Sequence, residues 1–280
     1  MIPTNAGVPS LRPHGDVGMR VRRFTATVFA IVVTGAGILY SQNEEGYLGN
    51  FTDARRIVQP PKSRSQFVFT RLIYNGRIPG YYKNWYTDYP KGDRQLIEGL
   101  KRLTDLDIAE QGRVVAINDP ELFEYPFVYS SEVGQMVLSE EDAATMREYL
   151  QRGGFWFLDD FWGTSEWASL ELQMKKIFPD VQIKDIPPTH PLFHMYLDVD
   201  KVMQVPSLAY LWTKITYEQD GFTGECKGIF DDRGHLMAVI NHNTDLGDAY
   251  ESADNPEYPL PFTSYAYRHA LNIIIYALSH

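Results

Sequence analysis

Acidic side chains follow apolar segments at two places in this 280-residue chain. Asp159 and Asp160 come directly after Phe155–Leu158 (FWFL), a run too apolar to face water on either side. A helical pattern follows them, and a carboxylate near a helix N-terminus is favoured in its charged form. Carboxylates placed in this way can bind a cation, hydrogen-bond a sugar, or act as an acid or base. The alternative is that one of them only caps the helix or pins the turn.

The second acidic group follows a predicted strand over residues 236–240. Asp245, Asp248 and Glu251 are spaced three residues apart, and they could reach the same pocket as Asp159 and Asp160. The pattern D-x-x-D-x-x-E differs from the twelve-residue calcium loop of EF-hand proteins. The sequence therefore leaves metal binding open and predicts no particular cofactor.

Aromatic residues and a histidine pair form two further candidate segments. Residues 85–90 (WYTDYP) place Trp85 beside Asp88, and flat rings with one carboxylate suit sugar or peptide ligands. The alternative for this segment is a lid packed on its own domain. His190 begins HPLFH, where Pro191 disfavours a helix, so the segment is not a helical zinc motif. An ordinary loop histidine is the simpler interpretation; in a hydrolase, His190 would orient water or a metal.

Charge and missing motifs exclude several functions. The net charge is −10, which argues against a nucleic-acid partner. One cysteine, Cys226, makes neither an internal disulfide nor a cysteine-rich zinc site, and we interpret it as a buried structural residue. The chain also lacks the G-x-S-x-G nucleophile elbow, the G-x-G-x-x-G dinucleotide motif and the P-loop.

The first 66 residues differ from the rest, with a net charge of +4 against −14. Residues 1–41 contain a basic run (MRVRR) followed by the uncharged segment 24–40, which is typical of a secretory signal or a minimal membrane anchor. Residues 42–66 read as a linker. We expect a bacterial protein that is exported and either periplasmic or anchored in the inner membrane through residues 24–40.

Residues 67–280 alternate between strand and helix patterns. The strands are predicted at 66–74, 114–117, 126–129, 155–158, 228–230 and 236–240, and the helices at 93–104, 139–152, 165–178 and 265–278. This alternation predicts an α/β domain with a mainly parallel sheet and helices on both faces. Ligands of such sheets bind beyond the carboxyl ends of the strands. Residues that follow the strands are therefore candidates.

Residues 67–278 resemble an uncharacterised family, number 4159 among the domains of unknown function. The resemblance rests on FTRLIY (69–74), WYTDYP (85–90), YPF (125–127), GGF (153–155) with DDFWG (159–163), HPLF (190–193), DLGD (245–248) with Glu251, and Tyr267-Arg268. It implies a flavodoxin-like fold similar to class I glutamine amidotransferases and trehalose-utilisation-like proteins. Those amidotransferases carry a cysteine nucleophile at a strand–helix elbow. Here the elbow-like turns carry Ser130-Ser131 or Asp159-Asp160 instead, which argues against glutaminase activity.

Two functions follow from these observations. The first is an exported ligand-binding domain for a glycan or sugar-like molecule, with a hydrolase variant. Its candidate catalytic residues are Asp159, Asp160 and His190, and its candidate ligand-binding residues are Arg71, Tyr74, Trp85, Asp88, Trp162, Asp245, Asp248, Glu251 and Arg268. The second is a non-catalytic interaction subunit with protein partners in the cell envelope.

Overall fold

The computed structural model describes residues 66–78 and 81–280, so the predicted leader and nearly all of the predicted linker lie outside the described residues. Nine strands are assigned within the described part of the chain. They are β1 (Thr70–Ile73), β2 (Asn75–Gly76), β3 (Arg113–Ala116), β4 (Phe127–Ser130), β5 (Met136–Val137), β6 (Phe155–Leu158), β7 (Ile183–Asp185), β8 (Glu225–Phe230) and β9 (Leu236–His242).

Six α-helices connect or follow these strands in the described residues. They are α1 (Lys91–Leu103), α2 (Glu140–Gln151), α3 (Gly163–Ile177), α4 (Tyr210–Thr213), α5 (Leu246–Glu251) and α6 (Leu260–Ser279). Short 3₁₀ helices occupy Pro120–Glu124, Val133–Gln135 and Pro191–His194. No helix in residues 66–78 and 81–280 has the length and apolarity needed to span a bilayer.

Seven strands form the main sheet in the order β3-β1-β4-β6-β9-β8-β7. The first five are parallel, while β8 runs antiparallel to both β9 and β7. Taken alone, the parallel strands follow the 2-1-3-4-5 order of flavodoxin-like folds, and the predicted fold class is confirmed. In this order the chain reverses direction across the sheet between β1 and β4. In folds of this class a reversal of this kind leaves a crevice at the carboxyl edge of the sheet, the edge where the parallel strands end.

Helices cover both faces of the sheet because alternate side chains of each buried strand point to opposite faces. One face packs Phe69, Phe127 and Phe157 against α1, α5 and α6. The other packs Val128 and Trp156 against α2 and α3. All four residues of β6 are buried, as its uninterrupted apolar sequence predicts.

Local signals placed several elements correctly. Ser139 and Asp142 make a reciprocal cap at the start of α2, where the sequence predicts a helix from residue 139, with both hydrogen bonds at 3.0 Å. Leu103 is exposed because it occupies the last turn of α1, whereas Trp167 is half-buried and packs against the core.

Candidate functional site

The carboxyl edge of the sheet gathers the acidic residues that three different loops carry. Asp88 lies in the loop before α1, Asp160 follows β6, and Asp245 is the N-cap of α5 directly after β9. Asp248 and Glu251 extend along one side of α5, because residues three apart share a helix face. We call these five residues the acidic cluster.

The acidic cluster consists of two triads that share Asp88. In the inner triad, Asp88, Asp160 and Asp245 each offer an oxygen within 4.8 Å of the other two, and all three side chains are buried. In the outer triad, Asp88, Asp248 and Glu251 meet the same distance limit, and Asp248 and Glu251 are only half-buried. The cluster therefore leads from the interior of the crevice toward solvent.

Two aspartates of the inner triad have backbone conformations that are uncommon for residues other than glycine. Asp88 has φ of 64° and Asp160 has φ of 54°, both in the left-handed region. Glu132 and Asn243, which lie in the turns after β4 and β9, share this conformation with φ of 53° and 57°. Strain of this kind concentrates at functional sites because the surrounding structure must hold it in place.

Asp160 is held by two donors on its own side of the crevice. The Ser131 hydroxyl donates to its Oδ2 at 3.3 Å, and the Trp162 indole N–H donates to its Oδ1 at 3.1 Å. Burial raises the pKa of Asp160 to about 6, although the Lys83 ammonium opposes the rise. Trp162 is fully buried, so this predicted ligand-binding residue orients Asp160 instead of presenting a face to a ligand.

Asp159 faces a different environment from its neighbour. Its Oδ2 accepts hydrogen bonds from the Tyr129 hydroxyl and the Leu246 backbone N–H, both at 3.1 Å. These bonds join β4, β6 and the start of α5. Its Oδ1 is buried without a hydrogen-bond partner, and burial raises the pKa of the carboxyl well above its usual value.

Asp245 and Asp248 are bonded to backbone and to each other. Asp245 Oδ1 accepts from the Asp248 N–H at 2.7 Å, and Asp248 Oδ2 accepts from the Leu208 N–H at 2.6 Å. Burial raises the pKa of Asp248 to about 7, with the nearby Glu251 and Asp160 adding to the rise. Burial and the charge of Asp160 raise the pKa of Asp245 well above its usual value.

Arg71 was predicted to bind the ligand, but its three guanidinium nitrogens all donate to protein oxygens. It bonds the Asp93 carboxylate, with the shortest contact at 2.5 Å, and the Trp85 and Thr87 carbonyls at 2.9 Å each. Its buried guanidinium also lies 4.8 Å from the Tyr129 ring centre. Arg71 therefore fixes the loop that carries Asp88. Trp85 is half-buried against the core and takes part in that same scaffold.

Tyr74 also has a structural role. Its buried hydroxyl donates to the carbonyls of Ser131 and Glu132 at 2.7 and 2.8 Å. It thereby holds the turn after β4, on the other side of the crevice from β1. That turn presents Glu132, which sequence reasoning missed although it directly follows the Ser130-Ser131 pair.

Glu132 and Lys83 connect the acidic cluster to the surface. The Lys83 ammonium lies 3.5 Å from Glu132 Oε1 and 2.8 Å from Glu218 Oε2. Glu132 Oε2 is buried without a hydrogen-bond partner. Burial and the charge of Asp160 raise the pKa of Glu132 well above its usual value, so Glu132 and Asp160 share one electrostatic environment.

Exposed aromatic rings flank the Lys83–Glu218 ion pair. Tyr82 precedes Lys83, and Tyr217 and Phe222 lie on either side of Glu218 with their ring centres 4.7 Å apart. All three are exposed, Tyr82 and Phe222 by 66% and 65%. We call Tyr82, Tyr217 and Phe222 the aromatic rim. Sequence reasoning missed them because no motif marks them, although YY at 81–82 was a visible signal.

Two predicted site residues lie elsewhere. His190 caps a 3₁₀ helix, with Nδ1 accepting from the Leu192 N–H, and its ring lies 6.0 Å from Tyr276. Tyr276 contacts Leu236, the first residue of β9, so His190 lies at the amino edge of the sheet. The length of β9, about 20 Å, separates this edge from the loop that carries Asp245. The expectation that His190 joins the aspartates is wrong, because the chain after β7 returns to the opposite edge. Arg268 is exposed on α6, outside the acidic cluster.

Cys226 lies within β8, one residue into the strand, whereas the predicted strand begins at residue 228. Its thiol is buried 3.8 Å from His269 Nε2, and burial raises its pKa. A nucleophilic cysteine needs an accessible thiolate, so this environment suits a structural residue.

The fold and the site define a flavodoxin-like α/β domain with a carboxylate-rich crevice at its chain-reversal point. The model of the family described as Domain of unknown function (DUF4159) matches residues 68–278. Because this match covers most of the chain, the protein belongs to that family. No curated protein matches the chain.

Proposed function

We propose that this chain is an exported or membrane-anchored binding domain that takes a glycan or sugar-like ligand at the carboxyl edge of its sheet. The observation that carries the proposal is a set of buried carboxylate oxygens without partners in that crevice. They belong to Asp88, Asp159 and Glu132. A buried polar atom without a partner costs free energy, so such atoms mark positions where a ligand completes the hydrogen bonding.

The aromatic rim supports a sugar-like ligand over other polar molecules. Tyr82, Tyr217 and Phe222 offer exposed ring faces, and apolar faces of sugar rings stack on such surfaces. The ion pair of Lys83 with Glu218 holds the two rim segments next to the acids. Ring faces outside and carboxylates inside match a molecule with apolar ring faces and hydroxyl donors.

A hydrolase version of this proposal uses Asp160 as the base, because a carboxyl with a pKa near 6 is partly ionised at neutral pH. His190 takes no part in this version, because it lies at the amino edge. The export of the chain rests on the basic and apolar pattern of residues 19–40 alone.

The test is glycan binding by the full-length chain, with variants of the rim. We expect Tyr82→Ala and Phe222→Ala each to weaken binding about fivefold, which corresponds to the loss of about 1 kcal/mol of stacking. Phe123→Ala is the matched control, since Phe123 is an exposed aromatic residue packed on Tyr149 and Arg152, away from the rim. A glycan array with no ligand for the wild type, or equal loss in the control, contradicts the proposal.

A second candidate is the docking of an envelope protein partner on the segment around α4. Trp212 is 70% exposed and Ile215 is 47% exposed, a larger apolar exposure than binding of a small sugar requires. Crosslinking in intact membranes discriminates the two. A partner captured by wild type but not by Trp212→Ala favours docking, whereas capture that Trp212→Ala leaves unchanged removes it.

A further inference from the structure

We propose that the inner triad, Asp88, Asp160 and Asp245, binds one hard divalent cation. This inference goes beyond the proposed function and depends on metal binding alone, so it stands even if the organic ligand is not a glycan. Three carboxylates from three separate loops each place an oxygen within 4.8 Å of the other two. That spread is compatible with oxygens arranged around one ion, since metal–oxygen distances are about 2.0–2.6 Å.

Asp88 supplies an observation independent of this proximity. It is only 8% exposed, yet its Oδ2 has no hydrogen-bond partner. Backbone packs tightly against that oxygen, because a Cβ atom placed on Gly247 would lie 2.0 Å from it. Since Asp88 belongs to both triads, a carboxylate with an unpartnered oxygen stands where the two triads meet.

The charge balance around the triad also calls for a cation. Arg71, the buried cation of β1 that holds the Asp88 loop, is bonded to Asp93, and Lys83 is paired with Glu132 and Glu218. The aspartates of the triad thus share their crevice with Asp248 and Glu251. Buried carboxylates require a proton, an ion-pair partner or a metal ion.

The donor set selects the class of cation. Both triads consist of carboxylates without histidine or cysteine. Oxygen ligands suit Mg²⁺, Mn²⁺ and Ca²⁺, whereas zinc and copper sites are usually built from imidazole and thiolate. The half-buried Asp248 and Glu251 add negative potential between the inner triad and solvent, on the side from which a cation would enter.

The experiment is a calorimetric titration of the chelator-treated full-length protein with MnCl₂, repeated with CaCl₂ and MgCl₂. We expect one Mn²⁺ per wild-type chain. Asp88→Asn and Asp245→Asn should weaken binding at least tenfold, because each removes a charged ligand. Asp232→Asn is the matched control, an exposed aspartate in the turn between β8 and β9 at the amino edge. It should bind as the wild type does.

Thermal unfolding with and without MnCl₂ guards against variants that fail to fold. Asp88→Asn should remain folded and should lose the rise in melting temperature that Mn²⁺ gives the wild type. The proposal is overturned if the wild type takes up no stoichiometric cation at millimolar concentration, or if both aspartate variants bind as tightly as Asp232→Asn. Neither outcome bears on glycan binding to the rim, which is measured separately.

Discussion

Two sets of buried charges lie side by side in this domain, and they are treated in opposite ways. Arg71 and Asp93 are both buried and form a direct ion pair at 2.5 Å, and Arg71 also bonds two backbone carbonyls. Asp88 sits on the loop that this pair holds, yet it faces other acids and keeps an unpartnered oxygen. Buried charges that pair with each other stabilise the fold, whereas buried carboxylates without a partner of opposite charge indicate a ligand-binding site.

The largest effect we expect comes from breaking the paired set. Arg71→Met leaves Asp93 buried without its partner and frees the carbonyls of Trp85 and Thr87. The free energy of unfolding should fall by about 3–5 kcal/mol, measured by urea denaturation. Arg94 lies on the exposed side of α1, the helix that carries Asp93. Arg94→Met should therefore change the free energy of unfolding by less than about 0.5 kcal/mol. A loss below about 1 kcal/mol for Arg71→Met would show that the pair does not hold the loop.

The acidic residues without an ion-pair partner should make the free energy of unfolding depend on pH. Burial raises the pKa of Asp160 to about 6, so the folded protein keeps a proton that the unfolded chain has lost above about pH 4. This contribution is present at low pH and disappears as the pH rises through 6. In chelator, wild type should therefore lose about 2 kcal/mol relative to Asp160→Asn between pH 4.5 and 8.

Comparing the two proteins at each pH removes contributions that both share. His269, whose pKa burial lowers to about 3, titrates in the opposite sense in both and cancels in the difference. If the difference in the free energy of unfolding between wild type and Asp160→Asn stays constant across this range, burial does not raise the pKa of Asp160.

Packing around Asp88 gives a smaller effect. Gly247→Ala places a Cβ 2.0 Å from Asp88 Oδ2 and must displace that carboxylate or the start of α5. We expect a loss of about 1–3 kcal/mol in urea denaturation and weaker Mn²⁺ uptake. Gly76→Ala, where the nearest atoms are 3.9 Å away, is the control for adding a methyl group. If Gly247→Ala matches Gly76→Ala in both measurements, close packing does not position Asp88.

The smallest expected change is an increase in the free energy of unfolding, opposite in sign to the change expected for Arg71→Met. Asp88→Asn removes one of several like charges and keeps the side-chain shape, so the chelated protein should become more stable by about 1 kcal/mol. The gain should vanish when Mn²⁺ stabilises the wild type. A clear loss of stability in chelator would mean that the Asp88 carboxylate is already compensated.

The sequence predicts the scaffold better than it predicts the site. Phe155–Leu158 and the Ser139 cap are local signals, and both lie where expected, because apolar runs and capping residues act on their own segments. The carboxyl-edge rule also correctly predicts that Asp160 and Asp245, which follow the neighbouring strands β6 and β9, lie close together.

The sequence could not predict whether a side chain faces a ligand or the protein interior. Arg71 and Trp162 looked like ligand-binding residues, yet both turn inward to hold other residues, and only the tertiary contacts distinguish these roles. His190 was misplaced because the path of the chain after β7 has no local signature. The likeness to glutamine amidotransferases stays a prediction, as does the export of the chain.

The most direct test of the account is an anomalous diffraction map from crystals grown with MnCl₂. We predict one strong peak among Asp88, Asp160 and Asp245, about 2.0–2.6 Å from a carboxylate oxygen of each. The same map from Asp88→Asn crystals should lack that peak. Wild-type crystals without a peak at the inner triad would contradict the claim that these unpaired carboxylates form a cation site.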